Sequence, residues 1–169
     1  MGDYSIHTSE KYFNCLEGTL HSKLFDMNVP FQAKNCEEVY AKRCAVFFEK
    51  LDLDSEAFSE LVYAGIDYVN DLLDERGDEF DLGEEFDEIT PEDFLRITEP
   101  VVIVFEMHDL LTVDDSPVGF SIKMHLRAVP DELFELAMQE ERAIYAGEYR
   151  GVSPWNDKLL KKKWNYVEN

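Results

Sequence analysis

The chain has 169 residues, of which 45% are hydrophobic and 13% aromatic, and its formal net charge at pH 7 is −21. This length and composition predict a single folded domain over residues 1–169. They exclude a disordered acidic chain, which would be poor in aromatic residues. Such a negative surface repels the phosphates of nucleic acid and anionic membranes and attracts basic proteins. We therefore expect a basic protein as the partner, and no direct binding of nucleic acid or membrane.

Targeting features and cysteine content predict a cytoplasmic protein. The first residues, MGDYSIHTSEKYF, show no basic segment followed by an apolar run, so the sequence predicts no secretory signal. No apolar stretch approaches the roughly 18 residues of a membrane span. The three cysteines, Cys15, Cys36 and Cys44, are an odd number, which favours reduced thiols in the cytosol.

Alternating hydrophobicity predicts β-strands at the start of the chain. In FDMNVPFQAK, residues 25–34, every second residue is apolar, which is the period of a strand with one buried face. Pro30 has no N–H to donate to a ladder, so we expect either that this strand lies at an edge of the sheet or that the N–H position of Pro30 faces solvent. A shorter partner strand is predicted over 11–16, with a turn at 17–18.

Two amphipathic helices are predicted next. Residues 36–51 have apolar residues on one side, and Asn35 is a candidate N-cap. Residues 55–75 carry the clearest helical periodicity in the chain, with Asp54 as the expected N-cap and Gly77 as the expected end.

The second half of the sequence predicts a short helix, two strands and a longer helix. Thr90 begins a short helix over 90–97. The apolar run 101–107 is typical of a strand covered on both faces, and 118–129 alternates as a half-buried strand does. Residues 130–146 are predicted as a helix, opened by its proline and closed by the following glycine.

The C-terminal tail, residues 149–169, combines bases with aromatic residues. We expect a short final helix in this tail, with Trp155, Trp164 and Tyr166 docked on the core and the lysines in water. The order of elements predicts an α+β domain, with an antiparallel or mixed sheet of about four to five strands packed against several helices.

The acidic segment 74–93, DERGDEFDLGEEFDEITPED, carries about half of the chain's net charge. Eleven of its twenty residues are Asp or Glu, and Arg76 is its only base. Its large apolar residues are Phe80, Leu82, Phe86 and Ile89. They either anchor a surface loop to the core, with the acids in water, or form apolar contacts ringed by carboxylates for a basic partner.

Known metal-binding and catalytic motifs do not fit the chain. An EF-hand calcium loop starting at Asp78 would place Gly83 correctly, but Phe80 and Leu82 would stand at ligand positions. There is no Cys-x-x-Cys or His-x-x-x-His pair for a transition metal. There is also no nucleophile, Walker or dinucleotide-binding motif. We therefore predict no metal, no cofactor and no catalytic residue.

These features predict a non-catalytic binding protein that neutralises a basic partner, such as a nuclease whose cleft is built for phosphate. In this interpretation the carboxylates act as phosphate mimics, and two phenylalanines are the apolar anchors. The predicted partner-binding residues are Asp78, Glu79, Phe80, Asp81, Glu84, Glu85, Phe86, Asp87 and Glu88.

In its small size, strong negative charge and acidic segment 74–93, the chain resembles the immunity proteins of bacterial toxin systems, including those of contact-dependent inhibition. It is also similar in kind to phage-encoded inhibitors that mimic the charge of DNA. The resemblance lies in composition and in this segment, and no motif assigns roles to single residues. It implies an inhibitor of a toxin.

Two other functions stay open at the level of sequence. An enzyme would use a carboxylate and histidine site near Glu106, His108 and His125, at the ends of the two late strands. A structural or oligomer-forming domain would use an exposed face of the helix at 55–75 or the strand at 25–34.

Overall fold

The computed structural model describes residues 4–83 and 85–167, which form one mixed sheet with helices inserted in its middle. The strands are β1 (Tyr4–Thr8), β2 (Cys15–Ser22), β3 (Met27–Lys34), β4 (Thr98–Glu106), β5 (Gly119–Leu126), β6 (Val129–Gln139) and β7 (Arg142–Glu148). The α-helices of the described chain are α1 (Glu38–Glu49), α2 (Glu56–Arg76) and α3 (Pro91–Ile97).

The seven strands lie in the sheet in chain order, from β1 at one edge to β7 at the other. All neighbours are antiparallel except β3 and β4, which are parallel because the three helices connect them. The predicted α+β class is therefore confirmed. The predicted number of strands, about four to five, was too low, because the sheet has seven strands.

The predicted helix over 130–146 is wrong, because these residues form the hairpin of β6 and β7. Both faces of β6 are covered, and residues 134–138 are buried without interruption, so the period of two that marks a half-buried strand is lost. The turn that joins the two strands contains Glu140 and Glu141 and no Gly or Pro, so the sequence carries no turn signal there.

The strand predicted over 25–34 forms as β3, and of the two alternatives for Pro30, an edge position of the strand is wrong. It lies between β2 and β4. Pro30 is tolerated because the ladder to β4 begins only at Phe31, so the missing N–H faces no β4 partner in this ladder.

One face of the sheet carries the helices and most of the core. The rings of Phe31, Phe105 and Phe120 come from neighbouring strands, and Phe48 of α1 packs edge-on against Phe120 with ring centroids 5.3 Å apart. On α2, a Cβ at Gly65 would lie 2.8 Å from the ring of Phe94, so this glycine allows close approach of α2 and α3.

Only one of the predicted N-caps forms a side-chain cap. Thr90 and Asp93 make a reciprocal capping box at the start of α3. Helix α1 begins after Glu37 rather than Asn35, and α2 begins after Ser55 rather than Asp54, both without a side-chain cap. Gly77 does end α2.

Candidate functional site

The acidic segment connects the C-terminal end of α2 to the start of α3 as an irregular surface loop. It begins with a 3-10 turn at Gly77–Glu79. In the middle of the loop, Gly83 adopts a left-handed backbone with φ of 77°, and its N–H donates to a carboxylate oxygen of Asp81 over 2.8 Å. Local hydrogen bonds therefore shape part of the loop.

The apolar residues of the loop pack against the protein itself. Ile89 is buried, and Phe80, Leu82 and Phe86 are partly buried against the core. Two guanidinium groups cover the phenylalanines: that of Arg76 lies 5.1 Å from the ring centre of Phe80, and a second, from α3, lies 5.6 Å from that of Phe86. These contacts hold the loop on the core, so only part of each phenylalanine ring is open to a partner.

The carboxylates of the loop point outward. The exposed ones are Asp78, Glu79, Asp81, Glu85, Asp87 and Glu88. Glu84, which the sequence also predicts as a binding residue, lies outside the described residues. Glu79 pairs with Arg76 over 2.9 Å, and Arg76 also pairs with Glu132 on β6. Within the part of the loop that the structure describes, the other five exposed carboxylates form no salt bridge.

The solvent face of α2 continues this negative charge, and the sequence analysis did not predict its part in the site. Its exposed carboxylates are Glu56, Glu60, Asp67, Asp71, Asp74 and Glu75. Most of their spacings are four or seven residues, which places them along one face of the helix. Because the loop follows α2 directly, the two sets form one acidic surface, defined here as these six residues together with the six exposed carboxylates of the loop.

An aromatic side chain stands among the carboxylates of α2. Tyr63 is 56% exposed, and its position places it on the same face as Glu56, Glu60 and Asp67. It is therefore a more accessible aromatic contact than Phe80, which is partly buried. The sequence could have indicated this exposed aromatic residue, because Tyr63 falls among the polar positions of the helical pattern at 55–75.

The C-terminal tail folds back across the face of the sheet that the helices leave open. The indole N–H of Trp155 donates to the backbone carbonyl of Glu106 over 2.8 Å. A Cβ at Gly119 would lie 2.4 Å from the Trp155 ring, so the indole packs flush on β5. The predicted final helix is a 3-10 turn, Asp157–Lys161.

The end of the tail closes the β7 edge of the sheet. The side-chain amide of Asn165 donates to the carbonyl of Ile144 over 2.8 Å and accepts from the N–H of Ala146 over 3.1 Å. Trp164 packs edge-on against Tyr145. The lysines of the tail are exposed, namely Lys158, Lys161, Lys162 and Lys163.

A buried carboxylate fixes the start of the tail. Glu135 on β6 is 1% exposed, and one of its carboxylate oxygens accepts from the N–H groups of Arg150 (3.2 Å) and Val152 (3.1 Å). Burial raises the pKa of Glu135, and hydrogen bonds from these two N–H groups oppose the rise only in part.

This raised pKa predicts a pH-dependent effect of Glu135→Gln. A carboxyl whose pKa is higher in the folded state stabilises the fold below its unfolded value and loses that contribution as the pH rises through the folded value. We therefore expect Glu135→Gln to gain stability relative to wild type as the pH rises above about 4.5, measured by urea unfolding across the pH range. Glu141→Gln, on the exposed β6–β7 turn, controls for loss of one charge. A growing disadvantage of Glu135→Gln towards neutral pH would contradict the expectation.

The three residues of the alternative enzyme site are not brought together. Glu106 and His108 border an open recess of about 410 Å³, where Ser153 donates to Glu106 over 2.8 Å. His125 lies near the opposite end of β5, where it stands across from Glu99 of β4 in the strand register. His125 is six residues along β5 from Gly119, which lies beside Glu106 at the recess, roughly 20 Å at 3.3 Å per residue.

The described residues, 4–83 and 85–167, contain neither a metal-binding cluster nor a membrane-spanning helix. Among these, no group of three or more His, Cys, Asp or Glu side chains is placed to hold a metal ion. No helix in the same ranges is long and apolar enough to cross a membrane.

Comparisons with known proteins gave no relative. No protein-family model matches the chain, and searches of curated proteins and of solved structures found no match.

Proposed function

We propose that the protein is a non-catalytic binding protein whose acidic surface neutralises a basic partner, such as a nuclease toxin. The observation that carries the proposal is that exposed carboxylates continue without a break from α2 into the loop. One of the loop carboxylates, Glu79, forms a salt bridge with Arg76. Surface carboxylates that already had cationic partners would contribute little to attracting a basic protein. Among the described residues of the loop, Asp78, Asp81, Glu85, Asp87 and Glu88 form no salt bridge, so their charge is available for a partner.

The dimensions of the acidic surface support mimicry of a nucleic-acid backbone. From Glu56 to Glu75 the helix rises roughly 28 Å at 1.5 Å per residue, and six exposed carboxylates lie along it. That is one charge per roughly 5 Å, of the same order as the 3.4 Å per charge along one DNA strand. A cleft that binds phosphates therefore meets a similar density of negative charge on this helix.

The acidic surface also offers an aromatic contact on the N-terminal half of α2. Tyr63 is an exposed aromatic side chain flanked by carboxylates, and tyrosine is among the residues that most often dominate binding energy. In this proposal the charges speed the encounter with the partner and Tyr63 lengthens the lifetime of the complex. Phe80 and Phe86 act mainly by holding the loop in place.

Affinity capture tests the proposal. The tagged protein is exposed at low salt to a lysate of its source organism and washed with increasing salt, and the retained proteins are identified. We expect a specific basic protein that is released as salt rises, because salt screens exposed charges. The triple variant Glu85→Lys, Asp87→Lys and Glu88→Lys is expected to lose this protein.

A second variant controls for net charge. Asp109→Lys, Asp114→Lys and Glu141→Lys make the same charge change at exposed positions in turns and loops at the other end of the sheet. This variant is expected to retain the partner. Equal loss from both variants would point to net charge alone, and equal retention by both would remove the loop from the binding surface.

A further inference from the structure

The exposed apolar residues of the molecule gather at the end of the sheet away from the acidic loop. Eight large apolar side chains are exposed in the described part of the chain, and six of these lie at or beside this end. They are Tyr12, Phe13, Val39, Leu110, Leu111 and Tyr149, which we call the apolar end. Exposed apolar clusters of this kind are typical of interaction sites.

The topology explains why these residues meet. The β1–β2 turn, the β3–α1 connection and the β4–β5 loop leave the sheet at the same end, because β3 and β4 are parallel and β2 is antiparallel to β3. The tail then crosses the open face and brings Tyr149 to a cavity that Tyr12 and Phe13 also line.

Phe13 is the most exposed of these side chains, and a structured turn presents it. It is 94% exposed. The hydroxyl of Ser9 accepts from the N–H groups of Lys11 and Tyr12, and the carbonyl of Asn14 accepts from the N–H of Asn35, which ties the turn to the end of β3. A phenylalanine left in water forgoes the free energy that burial of its ring would give, so covering Phe13 is favourable.

An apolar cavity lies directly beside Phe13. Its volume is about 680 Å³, and its walls include Cys15, Leu16, Cys36 and Met107. The phenylalanine borders this cavity but projects into solvent. A projecting aromatic ring and a cavity therefore stand side by side on one patch.

A two-fold axis through such a patch makes it self-complementary, because the projection of each copy faces the cavity of the other. We propose that the apolar end is a self-association surface, in which Phe13 of each copy enters the cavity beside Phe13 of a second copy. Each aromatic side chain can bury roughly 150–250 Å². The apolar end can therefore cover several hundred Å² per copy, near the roughly 800 Å² that each side of a standard interface contributes.

The distribution of charge permits this contact despite the net charge of −21. Near Phe13 and the start of α1, the apolar end carries Lys11, Lys34 and Lys42 beside Glu10, Glu37 and Glu38, whereas its β4–β5 loop and β6–β7 turn carry Asp109, Asp114, Asp115, Glu140 and Glu141. The acidic loop lies at the other end of β4, roughly 26 Å away at 3.3 Å per residue. That distance is about three Debye lengths at physiological salt, so repulsion between the loops of two copies is largely screened.

Sedimentation equilibrium of the full chain at concentrations of about 1–100 μM tests the proposal. We expect a dimer of twice 19.7 kDa for wild type. We expect Phe13→Asp to weaken the dimer by at least about 30-fold, as loss of a central interface residue does. Phe13→Leu is expected to keep the dimer, and Tyr63→Asp, an exposed aromatic on α2, serves as the matched control.

Salt separates this interface from the acidic surface. The apolar dimer is expected to persist or strengthen in about 0.5 M salt, whereas a complex made by the acidic surface weakens. A wild-type protein that stays monomeric over the whole range would overturn the proposal, as would a dimer that Phe13→Asp leaves intact. A monomer that captures another protein through Phe13 would assign the same patch to a different partner and would overturn self-association.

Discussion

Replacing Gly18 with alanine is expected to lower the free energy of unfolding by roughly 3 kcal/mol or more. Gly18 lies on β2 facing the core, and a Cβ there would lie 1.9 Å from the backbone carbonyl oxygen of Ser5 and 2.6 Å from the ring of Phe31. Because one of these obstacles is backbone, relief requires β1 to move away from β2. Urea unfolding followed by circular dichroism measures the change.

Gly77→Ala is the matched control for this substitution. The nearest atom to a Cβ at Gly77 is the Cβ of Leu73, 4.0 Å away, and its φ of −56° suits any residue. We expect this variant to be as stable as wild type or more stable by up to about 1 kcal/mol. If the two alanine variants lost equal stability, close packing at Gly18 would not be the cause.

Reversing the charge of the α2 half of the acidic surface is expected to slow association with the captured partner about 10-fold or more. The variant Glu56→Lys, Glu60→Lys and Asp74→Lys changes exposed positions on one face of the helix. Charge that steers the encounter acts on the association rate, whereas the dissociation rate depends mainly on close contacts such as that proposed for Tyr63. Stopped-flow or surface-based kinetics separate the two rates.

The helix and loop variants together determine whether the acidic surface acts as one unit. If it does, each triple variant slows association, and the two combined slow it further. A helix variant with wild-type kinetics beside a slow loop variant would confine the binding surface to the loop. The variant Asp109→Lys, Asp114→Lys and Glu141→Lys again controls for net charge.

The elements that the sequence predicted correctly carry an unbroken period. The strand β3 alternates over most of its length, and α2 repeats its apolar stripe through five turns. The hairpin of β6 and β7 has no such period, because the tail covers the second face of β6. A contact made by the C-terminal tail with a strand 17 residues earlier, as from Val152 to Glu135, is not visible in a local pattern.

The candidate site was predictable only where its residues are consecutive. The carboxylates at 78–88 are close together in the sequence, so their density alone identified them as candidate binding residues. Those of α2 are spaced by a helical turn, so they look like the ordinary polar face of an amphipathic helix. Only the structure shows that α2 continues directly into the loop, so that the two sets of carboxylates lie on one acidic surface. The half-burial of Phe80 likewise depends on the guanidinium of Arg76 beside it, a tertiary contact.

The dependence of the association rate constant on salt tests the central claim most directly. The captured basic partner would be mixed with the wild-type protein from about 20 mM to about 500 mM NaCl, with the rate followed by stopped flow. Steering by the acidic surface predicts a fall of about 100-fold or more across this range, with a shallower slope for the loop and helix variants. A rate that stays level with salt, or equal slopes for wild type and both variants, would contradict the account.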